Sequence, residues 1–575
     1  MTIKLYARYN VMNTGCRICF PGIIGNPSRL IWNKHAARTN VLAVATSTPI
    51  GTDFPEYGSS SHKWLIALAV MLGTTLEVLD TSIVNVALPH MQGSFSASVD
   101  EIAWVLTSYL VANGIMIPMT GWISSRFGRK RYFLMSVAVF VAASGLCGAA
   151  QSLDQMVVFR LIQGAAGAAM VPSSQAILME TFPPNEQQLA MATWGMGLMV
   201  APIMGPTLGG WITDNWNWRW NFYINLPIGA AAFLMVWTFV HDPAYLRTRR
   251  AKGGKTDYTG IILLVVGLGL AQLVLDRGQR ADWFSSPWVV WCTIFAALCI
   301  IGLTINELRT PEPIIDLSIL GIPVFTMSVM LMVAMSFALF GTGLLNPIFL
   351  QELMGYSAWK AGLVLAPRGL GTMAAMLIVG QLARYRYDTR PLIGVGFVIM
   401  AVALWQMAGW NTDVGTWTVT WPSLVMGVGM GMIFPTLSAT TLSCVSRERV
   451  GYAASLYNMM RNTGAAIGIS YMTTVLVNHE QTHQSYLVAH FTVFDAWKMS
   501  DAARLTPGAR SFDYMPQMLS GQKQGLGMVY GMIQRQAMML SFNDIYRTLA
   551  IVMMILIPTF LLLRRGQPVG GMAAH

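Results

Sequence analysis

Beginning at Trp64, the chain alternates apolar runs of about twenty residues with short polar breaks, the length at which an α-helix crosses a hydrocarbon core roughly 30 Å thick. The runs fall at 64–88, 102–120, 132–150, 156–179, 189–212 and 220–240, then at 258–275 and 288–305, and finally at 324–350, 361–382, 392–408, 417–442, 452–477 and 545–563. The pattern predicts an all-α membrane protein of fourteen transmembrane helices, arranged as six, two and six. A bilayer is the one solvent that accepts so much apolar surface, and helices satisfy their own backbone polar groups inside it.

The polar breaks alternate in charge. Arg126, Arg129, Lys130 and Arg131 fall on one side, followed by Arg247, Arg249, Arg250, Lys252 and Lys255, by Arg309, by Arg384, Arg386 and Arg390, by Arg447 and Arg449, and by Arg564 and Arg565. The opposite short loops hold little beyond Arg277, Arg280 and Lys360. Positive loops stay in the cytoplasm, so the predicted protein is multi-pass with both termini cytoplasmic. The long segment 478–543 lies on the far, periplasmic side, where long loops escape the charge rule. Its Met-rich stretch 525–540 is expected either to extend the flanking helices beyond the bilayer, as a soft apolar surface for a partner, or to form a solvated loop with short helices.

A repeat runs beneath the six-two-six order. Gly164-Ala-Ala-Gly167-Ala-Ala-Met-Val-Pro172 is echoed by Gly427-Val-Gly429-Met-Gly431-Met-Ile-Phe-Pro435, each in the fourth helix of its set. Gly121-Trp-Ile-Ser-Ser-Arg126 has a weaker echo in Gly380-Gln-Leu-Ala-Arg384, each after the second helix. Internal repeats of this kind build many transporters. The domain reading is an N-terminal extension at 1–63, expected to be disordered and taken as a short tail or an upstream start; a six-helix half at 64–240; two inserted helices with connectors at 241–321; and a second half at 322–575.

Composition excludes more than it adds. Of 575 residues, 54% are hydrophobic and 11% charged, against about 25% charged in soluble domains. The net charge of +11 resides in the alternate loops, which argues for topology and against nucleic acid. Cys16 and Cys19 form one isolated CxxC, too little for a zinc site. The chain has no nucleotide-binding Gly-x-x-x-x-Gly-Lys motif, and neither ATP nor a metal cofactor is expected. With 40 Met, 19 Trp, 18 Tyr and 24 Phe, a central cavity would be soft and aromatic, although Trp216, Trp218, Trp220, Trp417 and Trp421 read better as interfacial belts.

Against this apolar background the intramembrane charges stand out. Glu77 and Asp80 lie three residues apart and so share a face of the first helix. A carboxylate at that depth faces a cavity or a partner and marks a proton or substrate path, the alternative being a permanent structural hydrogen bond. Arg368 and Arg461 lie deep in their helices, as carboxylate partners or anion contacts, with structural pairing the simpler reading. Pro202, Gly205, Pro206, Gly209 and Gly210 give one helix small residues at helical spacing and two missing backbone donors, so that it packs closely and bends.

Three stretches carry a family resemblance: Leu79-Asp80-Thr81-Ser82-Ile83-Val84-Asn85-Val86-Ala87-Leu88-Pro89 in the first helix, Ala201-Pro202-Ile203-Met204-Gly205-Pro206-Thr207-Leu208-Gly209-Gly210 in the fifth, and Leu275-Asp276-Arg277-Gly278 followed by Asp282-Trp283-Phe284. The chain resembles the major facilitator superfamily, within it the fourteen-helix drug/proton antiporters, and among these the EmrB-type multidrug pumps. The resemblance implies a bacterial inner-membrane exporter of hydrophobic or amphipathic small molecules, driven by the proton gradient without a cofactor. It also implies a periplasmic adaptor and an outer-membrane channel as partners. Asp80, with Glu77 as a second carboxylate, would couple protons; Arg160 resembles the fourth-helix arginine of the family; Asn85 falls in the first-helix signature as a possible substrate contact; and the Pro202–Gly210 stretch would seal one side of the pathway. The loop from Gly121 to Arg131 resembles the superfamily's cytoplasmic motif, but Ser125 stands where that motif has an acid, so Arg126, Arg129 and Lys130 are expected to serve topology and anionic lipid. Rival readings are a single-component exporter of a metabolite, siderophore or fatty acid, and a membrane receptor or scaffold that translocates nothing.

Overall fold

The computed structural model describes residues 60–242, 256–310, 312–384, 390–490 and 515–562. Residues 1–59 of the N-terminal extension, the cluster from Arg247 to Lys255, Arg386, Arg564 and Arg565 lie outside the described residues, whereas 60–63, expected to be disordered, begin the first helix. All fourteen apolar stretches are helical and no strand occurs among the described residues. The helices are α1 Ser60–Phe95, α2 Asp100–Phe127, α3 Arg129–Ala149, α4 Leu153–Thr181, α5 Gln187–Asn215 and α6 Trp220–Phe239, then the inserted pair α7 Tyr258–Arg277 and α8 Pro287–Arg309. The second set is α9 Pro323–Leu353, α10 Ala358–Arg384, α11 Pro391–Met407, α12 Thr416–Ser443, α13 Val450–Ala489 and α14 Met515–Leu556.

Twelve of these are long and apolar enough to cross a membrane, and α11 is apolar but only 17 residues long. The remaining one, α13, is too polar to pass on composition because it carries Asn458, Arg461 and Asn462, polar groups that a spanning helix keeps turned toward protein. At 1.5 Å per residue, the 40 residues of α13 and the 42 of α14 reach about 60 Å, roughly twice the hydrocarbon thickness. Much of the segment 478–543 is therefore helix rather than loop, since 478–489 continue α13 and 515–543 belong to α14.

Lipid tails are as apolar as leucine, so helices in a bilayer associate through close packing of small residues rather than through hydrophobic exclusion. The repeated glycines supply this. Gly164 on α4 lies against the backbone of α2 at Tyr109, where a Cβ would overlap the Tyr109 carbonyl. Gly427 on α12 makes the same approach to α10 at Arg368. The second pair of echoes works between the halves: Gly121 abuts α13, with Tyr452 Cα 2.7 Å from where a Cβ would be, and Gly380 abuts α5, with Leu189 Cδ1 at 2.8 Å. Each half thus docks its second helix on the fifth helix of the other, which is the arrangement a two-fold pseudo-repeat requires.

Contacts between the halves gather toward the end that bears the basic loops. Ser125 meets the Tyr452 hydroxyl at 3.0 Å, Asn458 donates to Gln175 at 2.6 Å, Gln188 donates to Thr436 at 3.0 Å, and Trp194 stacks on Phe434. The inserted pair lies at the periphery, with α7 against α2 and α13 and with Trp291, Phe295, Leu298 and Ile301 of α8 exposed, an apolar face suited to lipid.

Candidate functional site

The buried face of α1 is read by its spacing: Leu76, Asp80, Ile83, Val84 and Ala87 recur every three or four residues and all have side chains out of reach of solvent. Asp80 thus interrupts an apolar stripe, with the buried Glu77 one turn before it. The buried face of α4 carries Met156, Arg160, Gln163, Gly164 and Gly167. Where the two faces meet, Arg160 Nη1 lies 2.5 Å from Asp80 Oδ2, and both side chains are 0% exposed. Arg160 is thus no interfacial side chain reaching for headgroups.

Further hydrogen bonds surround the pair, although Arg160 Nη2 is buried without a hydrogen-bond partner among the described residues. Gln163 Nε2 donates to Asp80 Oδ1 at 2.9 Å, and Asn225 Nδ2, on α6, donates to the same oxygen at 2.7 Å. Asn225 also donates to the Ser144 hydroxyl at 3.0 Å, which in turn donates to the Phe222 carbonyl at 2.9 Å. Arg160 donates through Nε to the Val105 carbonyl at 3.1 Å and through Nη1 to Gln163 Oε1 at 2.8 Å, while its guanidinium covers the Tyr109 ring at 4.3 Å. All three groups facing Asp80 are donors, a pattern complementary to a carboxylate, which only accepts. Helices α1, α2, α3, α4 and α6 are tied together through this one group.

Glu77 lies one turn nearer the basic end. Asn113 Nδ2 donates to its Oε1 at 3.0 Å, whereas Oε2 is buried without a hydrogen-bond partner, as is the Tyr109 hydroxyl. The C-terminal half reaches this point through α13: Asn462 approaches Asn113 Oδ1 at 3.4 Å, and the neighbouring Arg461, whose Nε has no hydrogen-bond partner, is close enough for its charge to act on Glu77. Arg368 lies apart in the C-terminal half, donating to the Leu339 carbonyl and the Thr342 hydroxyl, each at 3.2 Å. No carboxylate forms an ion pair with it among the described residues.

The glycines of the α5 stretch face α1 just past Asp80. Gly205 abuts Ser82 with no room for a Cβ, a Cβ on Gly209 would come within 3.0 Å of Ile83, and Gly210 is next to Val86. Pro202 and Pro206 belong to the same helix, and Pro202 is exposed. Asn85 is also exposed and is no part of the Asp80 network.

The loop after α2 departs from expectation. Arg129 is 3% exposed and forms an ion pair with Glu180 at the end of α4, so it fastens helices rather than serving chiefly topology or lipid. Gly128, at φ +93°, turns the chain so that Asp242 Oδ1 accepts the backbone N–H of Lys130 at 2.8 Å and caps the start of α3. Ser125, in the usual acid's place, donates or accepts a neutral hydrogen bond with Tyr452. Sequence reasoning also missed Gln163, Asn225, Asn113 and Glu180. The signal was available for two of them, since a polar residue three positions after Arg160 shares its face and an Asn inside the apolar helix α6 needs a partner.

Comparison with known proteins agrees with this architecture. The family model described as Major Facilitator Superfamily matches residues 70–469. Multidrug export protein EmrB of Haemophilus influenzae is similar, at 37% identity over 433 residues, 75% of this chain and 84% of that protein. Fatty acid resistance protein FarB of Neisseria gonorrhoeae is 34% identical over 509 residues, 88% of this chain and 97% of its own. Among solved structures, the proton:xylose symporter XylE, bound to 6-bromo-6-deoxy-D-glucose, superposes with a TM-score of 0.56 at 15% identity over 87% of this chain and 96% of that one, a likeness of fold alone.

Proposed function

The chain belongs to the Major Facilitator Superfamily, and from that premise we propose that it is a proton-driven exporter of hydrophobic and amphipathic small molecules in a bacterial inner membrane, with both termini in the cytoplasm. The observation that carries the proposal is the fully buried Asp80–Arg160 pair. A proton added to Asp80 cancels the charge that holds Arg160 and turns an acceptor into a donor aimed at donors, so the cage rearranges. Because five helices meet there, proton binding becomes a change of helix packing, the element that alternating access needs. Glu77, with one oxygen unpartnered, is the second carboxylate and the point where α13 of the other half enters the same polar chain.

The test is drug-dependent proton release from energised inside-out vesicles. The native chain is expected to release protons on drug addition, and Asp80→Asn, which keeps an acceptor for Gln163 and Asn225, is expected to fall to the level of vesicles without the protein. Undiminished release by Asp80→Asn would sink the coupling scheme. The relatives' names cover both multidrug export and fatty acid resistance. A second reading, with a fatty acid or similar anion as cargo, is favoured by Arg461 and Arg368, cations that hold no carboxylate in an ion pair among the described residues. A periplasmic adaptor and an outer-membrane channel complete the proposed pump, supported by the length of α13 and α14; full resistance in cells lacking any adaptor would count against it.

A further inference from the structure

Far from the buried pair, α13 and α14 bring together three side chains that the transport scheme does not use. His479 and His483 are four residues apart on α13 and so share a face. Asp544 of α14 meets both, its Oδ2 lying 3.1 Å from His479 Nδ1 and 2.8 Å from His483 Nε2. One ligand atom from each of the three lies within 4.8 Å of the others. His479 stands 29 positions after Val450, about 44 Å along the helix from the basic end, which is beyond a hydrocarbon core of roughly 30 Å. Water and ions therefore reach the cluster, and the side chains are 44%, 27% and 33% exposed.

We propose that His479, His483 and Asp544 form a binding site for one divalent transition-metal ion of the zinc class, which clasps the projecting ends of α13 and α14. Two imidazoles and a carboxylate make a three-ligand donor set typical of open zinc sites, and water supplies the remaining position. Nitrogen ligands select against calcium and magnesium, which demand oxygen. Bonds of about 2.1 Å in a tetrahedron put ligand atoms about 3.4 Å apart, so the two Asp544–histidine spacings need to open by about 0.3 and 0.6 Å. Glu480 follows His479 in the chain, and Glu352 lies near enough to interact with Glu480. His479-Glu480-Gln481-Thr482-His483 matches the His-Glu-x-x-His zinc spacing, a signal that sequence reasoning missed, whereas Asp544 lies 65 and 61 residues away and joins it only in the fold; the expectation of no metal is reopened on this point. The clasp joins the two helices that flank residues 491–514, so a bound ion closes a long chain segment.

The experiment uses the full chain purified in detergent without a histidine tag, stripped with a chelator and titrated with zinc. The expected result is one zinc per chain and a raised unfolding temperature, with His483→Gln and Asp544→Asn each weakening binding by more than about tenfold. Equal zinc uptake by these variants, or none by the native chain, overturns the proposal. Should a variant fail to fold, X-ray absorption of the zinc-loaded native chain decides: imidazole and oxygen scatterers support the site, and sulfur scatterers, pointing to cysteine, overturn it.

Discussion

The two halves share a scaffold and differ in what fills it. In the N-terminal half the second helix brings Tyr109 to the glycine of the fourth helix, and beside it Asp80, Arg160, Gln163 and Asn225 close a charge-balanced cage with no solvent exposure at the ion pair. In the C-terminal half the corresponding approach is made by Arg368 to Gly427, and its guanidinium finds a carbonyl and a hydroxyl but, among the described residues, no carboxylate. Backbone packing is kept on both sides of the repeat, while the buried ion pair sits on one. Under the proposed coupling scheme, the half that holds Asp80 would titrate and move against the half that holds Arg368.

The largest expected effect breaks the cage. Arg160→Ala leaves Asp80 buried and uncompensated, which costs roughly 3–5 kcal/mol and should appear as a large fall in thermal midpoint or in folded yield. Adding Asp80→Asn to Arg160→Ala removes the stranded charge and should recover much of the stability without recovering transport; a double variant as unstable as the single one would show that the pair is not the source of the loss. Next come the paired glycines, where Gly164→Val and Gly427→Val each force a side chain into a neighbouring backbone, at about 1–3 kcal/mol or more. Similar losses in the two would sharpen the pseudo-symmetry, and a loss confined to one would break it. The smallest effect is expected from Arg368→Met, within about 1 kcal/mol of the native chain or more stable, because it removes a partly buried charge that has no ion-pair partner among the described residues. A loss as large as that of Arg160→Ala would mean that the contrast between the halves is false.

Much of this was legible in the order of residues. Fourteen apolar stretches, alternate basic loops and two glycine–proline echoes pointed to the helices and to the repeat, because a bilayer punishes any other arrangement of backbone and charge. Asp80, Glu77 and Arg160 were conspicuous for the same reason, since an ionisable side chain at that depth needs a purpose or a partner. Polar but uncharged residues were less visible. Gln163 and Asn225 carry no cost large enough to single them out in a sequence that also contains many interfacial amides, yet they supply two of the three bonds to Asp80. Arg129 was misjudged because its partner Glu180 lies 51 positions away, beyond any local pattern.

What the chain settled by itself was that apolar helices of membrane-spanning length follow one another and where charges interrupt the apolar run of α1, for these follow from transfer energies that act residue by residue. The partner of each charge was settled only by assembly. Asp80 and Arg160 are 80 residues apart, and Asp544 is 65 and 61 from its two histidines. Such pairings depend on which helix faces approach, and that is fixed by glycines packed against distant backbones, a collective outcome that no single stretch of sequence contains.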